Sequence, residues 1–450
     1  MKDYQGIFGT SFSCSCGRVH QIEPREVVYS DDAMDRLSEV CLRAIAGHGT
    51  DDEKRPASDK RVAVLMDVRT RQAAGASAAE TLRRGGWHVQ ELLLPDGPGG
   101  KSPVCDDLTK DWLQSRLQET DLLVPVGAGV INDLGKWAAF ERGVAFVPFA
   151  TAASMTGYTS ANVAPSVGGL KTLLRAAAPP AVLSAPAVLR DAPYELTTAG
   201  LGDMLARPVS SADWRLNNLL FDDYYCERAV GLIAEVEPRY LARPAELAVR
   251  KPEAIEGLFA ALLLTGVAMT MAGSSSPASG GEHMISHSLD MMAELDGSGH
   301  DLHGRQVGVG SVLCAELYRR VLLTESPNVA EPAAEVDAAF WGRLTRPVAE
   351  QYAQKLPRLH RAVRLLSRGG TWDRLRERLA PMVPPPAFLH DCLASAGAAF
   401  SAEGIGCSRQ RLLKALVRAH QVRSRFTVLD LAGLLGLMPA CAEEVVGTWA

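Results

Sequence analysis

Between residues 60 and 150 short apolar runs alternate with stretches of helical spacing. Val62-Ala63-Val64-Leu65-Met66 ends on the carboxylate of Asp67, and an apolar run of that length bounded by polar residues predicts a buried strand. A helix is expected over Thr70–Arg84, closed by Gly85-Gly86, with a strand over Trp87–Leu94 after it. The order then repeats. A helix is expected from about Asp106 to Glu119, a strand over Asp121–Val126, a turn at Gly127-Ala128-Gly129, a helix over Ile131–Arg142 and a strand over Val144–Val147. Strand and helix alternating at this spacing predict a parallel sheet covered by helices. The polar run from His48 to Lys60 predicts an exposed loop.

Past Asp191 the strand signals stop. Helical spacing takes over at Ala192–Arg207, Ser210–Leu220, Ala254–Met271, His283–Leu295, Gly308–Leu323 and Glu335–Lys355, with Pro-rich breaks such as 381–386. The expectation is an α/β domain over residues 1–190 and an all-helical domain over 191–450, with the cleft between them as the default site.

Composition narrows the partners. Of 450 residues 47% are apolar and 22% charged, the formal net charge is −5 and no long Lys/Arg run occurs. Neither nucleic acid nor an anionic membrane is suggested as partner. The most apolar stretch, Leu258 to Gly273, is interrupted by Thr265, Gly266 and Thr270 and reads as a buried helix. The opening segment lacks the basic-then-apolar pattern of a signal peptide, and nine cysteines without an export signal point to a reducing, cytoplasmic compartment.

Three segments carry candidate chemistry. In Gly281-Glu282-His283-Met284-Ile285-Ser286-His287 two histidines four apart share one helix face. Four of the ten histidines (His283, His287, His300, His303) fall in the 21 residues from 283 to 303. No Glu follows His283, so the base of an H-E-x-x-H protease is missing and that activity drops out. Neutral imidazoles with a carboxylate suit Zn, Fe or Ni with an open position; for a bare H-x-x-x-H taken alone, a pair of core or surface histidines with an unrelated third is the favoured reading. The Gly127–Gly129 turn would let backbone N–H groups meet a diphosphate at a helix N-terminus, although Asn132 departs from G-x-G-x-x-G. Asp67 suits either a ribose hydroxyl or the N-cap of the next helix. The hydroxyl-rich segment Thr151–Ser160 reads as a surface loop or as a phosphate or nicotinamide contact.

The order of these blocks resembles the sn-glycerol-1-phosphate dehydrogenases, within the superfamily of dehydroquinate synthase and the iron-containing alcohol dehydrogenases. The resemblance rests on Cys14-Ser15-Cys16-Gly17-Arg18-Val19-His20, Gly127–Lys136, Thr151–Ser160, Gly200–Leu205 with Ala212-Asp213-Trp214, Gly281–His287, His303–Gly310 and Arg425–Leu431. It implies an N-terminal Rossmann-like domain and an all-helical C-terminal domain that binds metal and substrate. It implies one divalent metal on Asp203, His283 and His303, with zinc first and nickel or iron as alternatives. His287 would be the catalytic, substrate-contacting histidine, with Asp203 also beside substrate. NAD or NADP would lie on Gly129, Val130, Ile131, Asn132 and Asp133, with Asp67 on the ribose side and Thr151, Ala152, Ala153, Ser154 and Ser160 as further contacts. The implied reaction is reduction of dihydroxyacetone phosphate to glycerol 1-phosphate, in a cytoplasmic protein for which a homodimer is allowed. Arg305 and Lys171 are the candidates for meeting a substrate phosphate.

Three positions depart from the family pattern. Thr156 stands where the family has a substrate-contacting Asp, Ala206-Arg207-Pro208 where it has Gly-Lys-Tyr, and Ala150-Thr151-Ala152 where it has Pro-Thr-Ala. A Thr is not a charged acceptor, so a hydroxyl held by that Asp would lose its strongest contact. The alternatives are therefore the same hydride chemistry on another phosphorylated or polyol ketone, or a dehydroquinate-synthase-like cyclase that uses NAD transiently.

Overall fold

The computed structural model describes residues 2–46 and 57–450, so most of the loop expected at 48–60 lies outside the described residues. A hairpin of β1 (Ser11–Ser13) and β2 (Val19–Gln21) comes first. The strands that follow are β3 (Glu26–Tyr29), β4 (Arg61–Asp67), β5 (His88–Leu94), β6 (Leu122–Gly127), β7 (Ala145–Phe146) and β8 (Phe149–Ala150). Next come β9 (Asn162–Val163), β10 (Ser166–Val167), β11 (Leu170–Lys171), β12 (Leu174–Arg175) and β13 (Ala181–Ser184). Seven strands form one parallel sheet in the order β3-β13-β8-β6-β4-β5, with β7 beside β6.

The continuous apolar run of β4 is explained by two covered faces. Val62, Val64 and Met66 pack with Leu37, Val40, Ala78 and Leu82 in one core. Ala63 and Leu65 pack with Leu113, Leu134 and Ala138 in another. The strand expected over Val144–Val147 is shorter and continues as β8, because Pro148 has no N–H to donate to the ladder. β3 and β13 were not expected; four residues each, they carry too little pattern to register as strands.

The chain forms two compact units, residues 1–197 with 231–273, and residues 198–230 with 274–450. The first is the α/β Rossmann-like unit and the second is helical. The helical segment 231–273, assigned by the sequence to the second domain, thus belongs with the sheet. Its long helix Pro252–Ala272 is apolar enough to cross a membrane, yet 89% of its most apolar window is buried. A glycine explains part of that packing. A Cβ on Gly266 would lie 2.1 Å from Thr159 Oγ1 and 2.6 Å from the Thr156 carbonyl, so the bare backbone lets the 156–160 turn press against the helix. Thr159 Oγ1 donates to the Leu263 carbonyl at 2.6 Å there.

Candidate active site

Three helices of the second unit converge on the histidines. Tyr194–Leu205 carries Asp203, Gly281–Asp296 carries His283 and His287, and His303 opens the helix His303–Leu323. Glycines bring them together. A Cβ on Gly202 would sit 2.0 Å from the Gly304 carbonyl, one on Gly304 2.0 Å from the Ala199 carbonyl, and one on Gly310 2.8 Å from the Glu282 carbonyl. The G-x-x-x-G-x-G spacing after His303 is therefore a packing surface against two neighbouring helices.

The result is a cluster in which the ligand atoms of Asp203, His283 and His303 all lie within 4.8 Å of one another. Asp203 Oδ1 is 3.6 Å from His283 Nε2. A tetrahedral ion with bonds of about 2.0–2.2 Å would separate its ligand atoms by roughly 3.3–3.6 Å, so this set fits a divalent metal. Each imidazole is aimed by a partner on its other nitrogen. With Nδ1 protonated, His283 donates to Glu282 Oε1 at 2.9 Å and His303 to Ser286 Oγ at 2.9 Å, which turns both Nε2 lone pairs toward the cluster. The Gln306 amide satisfies its neighbours when its nitrogen faces Ser286 Oγ at 2.7 Å and Asp290 Oδ1 at 3.2 Å.

His287 is 5% exposed and its ring stacks on His303, with centroids 5.4 Å apart and planes 14° apart. His287, Asp290 and His303 form a second possible ligand set. Asp290 is already engaged by His300 at 3.2 Å and by Gln306, so the set with Asp203 is the better prepared.

Beneath the histidines lies a buried acidic pair that sequence reasoning missed. Glu282 Oε1 accepts from Gly280 N at 2.6 Å, and Asp213 accepts from Gly281 N and Val428 N at 2.8 Å and from Tyr318 O–H at 2.6 Å. Burial, reinforced by Glu282, raises the Asp213 carboxyl to about 8, and those three donors pull it back down. Burial pulls the Arg425 guanidinium below its usual range while Asp213 and Glu282 push it up; Arg425 also donates to the Ser279 carbonyl and to Ser275 Oγ. The available signal was a carboxylate, Glu282, directly before the first histidine of the helix.

In the first unit the expected dinucleotide residues lie at the carboxyl ends of adjacent strands. Asp67 ends β4, Gly127 ends β6 and Thr151 follows β8, and these strands are neighbours. The helix Gly129–Arg142 starts with no side-chain cap on Ala128, so the N–H groups of Gly129, Val130 and Ile131 are not taken by a capping side chain, while Asn132 N donates to the Ala128 carbonyl at 2.9 Å. Asp133 turns aside, accepting from Ala164 N at 3.3 Å. A Cβ on Gly127 would meet Ile131 at 2.5 Å, whereas one on Gly129 meets only Met155 Sδ at 3.7 Å. The first glycine serves packing and the second leaves open space.

Asp67 is the N-cap of the helical segment after β4, accepting from Thr70 N at 2.8 Å, and its other oxygen pairs with Arg69 at 2.9 Å. Arg69 also pairs with Asp96. Thr151, Ala152, Ala153, Ser154, Thr156, Thr159 and Ser160 are all buried, so the surface-loop reading of this segment does not hold; the reason is its packing on Gly266. Lys136, missed by the sequence reading, runs under the loop and donates to the carbonyls of Gly157, Ser160 (2.9 Å) and Asn162 (3.2 Å). Burial pulls its ammonium down to about 8, with Asp133 opposing. Arg305 is committed to Asp301 at 2.7 Å and to the Gly404 carbonyl at 2.6 Å, which weakens its candidacy for a substrate phosphate.

Residues 52–193 match the model of the iron-containing alcohol dehydrogenase family. A glycerol-1-phosphate dehydrogenase (NAD(P)+) from Thermococcus sibiricus is 33% identical over 301 residues, covering 67% of this chain and 79% of that protein. The chain belongs to the glycerol-1-phosphate dehydrogenase family. Another glycerol-1-phosphate dehydrogenase, from Bacillus licheniformis, aligns over 428 residues at 27% identity, 95% of this chain and 93% of its own length. The fold is shared with a probable glycerol dehydrogenase from Sinorhizobium meliloti 1021, at a TM-score of 0.58 and 17% identity over 94% of this chain and 98% of that one. In this chain the GEHMISH and HGRQVGVG blocks carry His283, His287 and His303 together with the glycines at which their helices pack.

Proposed function

We propose that this chain is a metal-dependent, NAD(P)-linked oxidoreductase that reduces dihydroxyacetone phosphate to glycerol 1-phosphate. The observation that carries the reading is the Asp203–His283–His303 cluster with both imidazoles aimed from behind. Bound there, a divalent metal supplies Lewis-acid polarisation of the ketone, and the dihydronicotinamide supplies the hydride. The protein's own residues do the rest. Glu282 and Ser286 hold the imidazole tautomers, and His287, one turn beyond His283, hands a proton to the nascent alcohol. The first unit takes the dinucleotide over 129–133, with Asp67 beside the ribose and the 151–154 backbone completing the edge; the second unit takes metal and substrate. Nine cysteines, none of them in a disulfide, support a reducing, cytoplasmic setting.

Thr156 favours a second reading on the substrate side only. It is buried in the Thr156–Thr159 turn, where a charged acceptor is expected of the family. Loss of one charged hydrogen bond costs about 1.5–3 kcal/mol, roughly one to two powers of ten in kcat/KM. Purified protein with dihydroxyacetone phosphate should oxidise NADH mole for mole, slowly, and Thr156→Asp should accelerate it by that factor. A wild type that is already fast and slowed by Asp would assign the pocket to a different ketone. Product formed over many turnovers without net NADH loss would replace the dehydrogenase with a cyclase.

A further inference from the structure

The hairpin at the start of the chain carries side chains that the reaction does not use. β1 and β2 pair Phe12 with His20 and Ser13 with Val19. Between them Cys14 N donates to the Arg18 carbonyl at 2.9 Å and Gly17 N to the Cys14 carbonyl at 3.0 Å. Gly17 sits at φ +85, with nothing within 4 Å of where its Cβ would be, so the backbone conformation rather than space calls for glycine there. The turn folds Cys14, Cys16 and His20 onto one another, their ligand atoms all within 4.8 Å. Cys16 Sγ is 3.2 Å from His20 Nε2, and His20 is only 3% exposed, its ring against Phe12 at 5.6 Å.

A simple S–H···N bond would account for Cys16 and His20; a bound cation would account for the convergence of all three ligand atoms at once. On a tetrahedral zinc, with Zn–S about 2.3 Å and Zn–N about 2.0–2.1 Å, sulfur and nitrogen stand roughly 3.5 Å apart, close to the spacing seen. Strands of three residues are also too short to hold a hairpin independently, and a metal would staple it. The staple would have a purpose within the first unit, since Arg18 in the same turn donates to the carbonyl of Ala272 at 3.2 Å, at the end of the helix that carries Gly266.

We propose that Cys14, Cys16 and His20 form a second, structural metal site for a thiophilic divalent cation, zinc in the cell, with one further ligand completing the tetrahedron. The site has no part in hydride transfer, and its chemistry differs from that of the carboxylate–histidine cluster by its thiolates.

The test uses cobalt and zinc on the full-length protein. Cobalt-loaded wild type should show a thiolate-to-metal charge-transfer band, which the Asp203–His283–His303 site cannot produce. The band should persist in His303→Ala and vanish in Cys14→Ser/Cys16→Ser, while zinc content falls from two per chain to one in either variant. Should the double serine variant fail to fold, alkylation of the wild type mapped by mass spectrometry decides the matter. Zinc should slow modification of Cys14 and Cys16 by at least roughly tenfold relative to chelator-treated protein. A cobalt spectrum without a thiolate band, or equal alkylation of these two cysteines with and without metal, overturns the site. Loss of zinc only in His303→Ala would leave the catalytic reading standing and remove this one.

Discussion

At the histidine cluster of the second unit, specificity resides in side chains: Asp203, His283 and His303 come from three helices, and each imidazole is aimed by a buried partner. At the edge of the sheet in the first unit it resides in backbone: uncapped N–H groups at Gly129, open space above it, and a loop held from below by Lys136. The carboxylate expected on the ribose side, Asp67, already caps a helix and pairs with Arg69. A charged ion needs ligands at fixed distances and angles, which only rigid, second-partnered side chains supply. A diphosphate needs a concave row of N–H donors, which a strand-to-helix turn supplies with almost any sequence that keeps the glycine.

Substitutions should separate the two regions. The largest effect is expected from His303→Ala, which should strip the metal from the Asp203 cluster and lower kcat/KM by about three powers of ten or more, a loss of several kcal/mol of transition-state stabilisation. Full activity in protein shown by elemental analysis to lack that metal would detach the cluster from the chemistry.

The glycines give the sharpest contrast. Gly304→Ala must displace the Ala199 carbonyl, which a Cβ would approach to 2.0 Å, and should destabilise the fold by about 1–3 kcal/mol while loosening the metal. Gly129→Val has room, its first new atom lying 3.7 Å from Met155 Sδ. It should leave the melting temperature near wild type and weaken dinucleotide binding. Equal losses of stability in the two variants would erase the distinction.

Ser286→Ala removes the hydrogen bond that sets the His303 tautomer and should cost roughly ten- to hundredfold in metal affinity, read by competition with a chelator. An unchanged affinity would mean that helix packing alone orients the ring. The smallest effect is expected from Arg69→Ala. It leaves Asp67 without its neighbouring cation, so binding of NADPH should weaken relative to NADH by roughly two- to fivefold. A stronger preference for NADPH in that variant would remove Asp67 from the ribose side altogether.

Much of this was visible in the linear chain because it depends on neighbours along it. The apolar run 62–66 requires a strand covered on both faces, and the four-residue spacing of His283 and His287 puts them on one helix face whatever surrounds them. The glycines at 127 and 129 mark a tight βα turn for the same local reason. Other features depend on contacts between residues far apart in sequence. That Pro252–Ala272 joins the sheet rather than the helical unit is decided by Gly266 meeting the Thr156–Thr159 turn. That Asp203 lies within reach of His283 and His303 is decided by Gly202 meeting Gly304. Periodicity records which face of an element is apolar; only the packed structure decides which backbone that face touches, because a missing Cβ acts solely through the partner that fills its space.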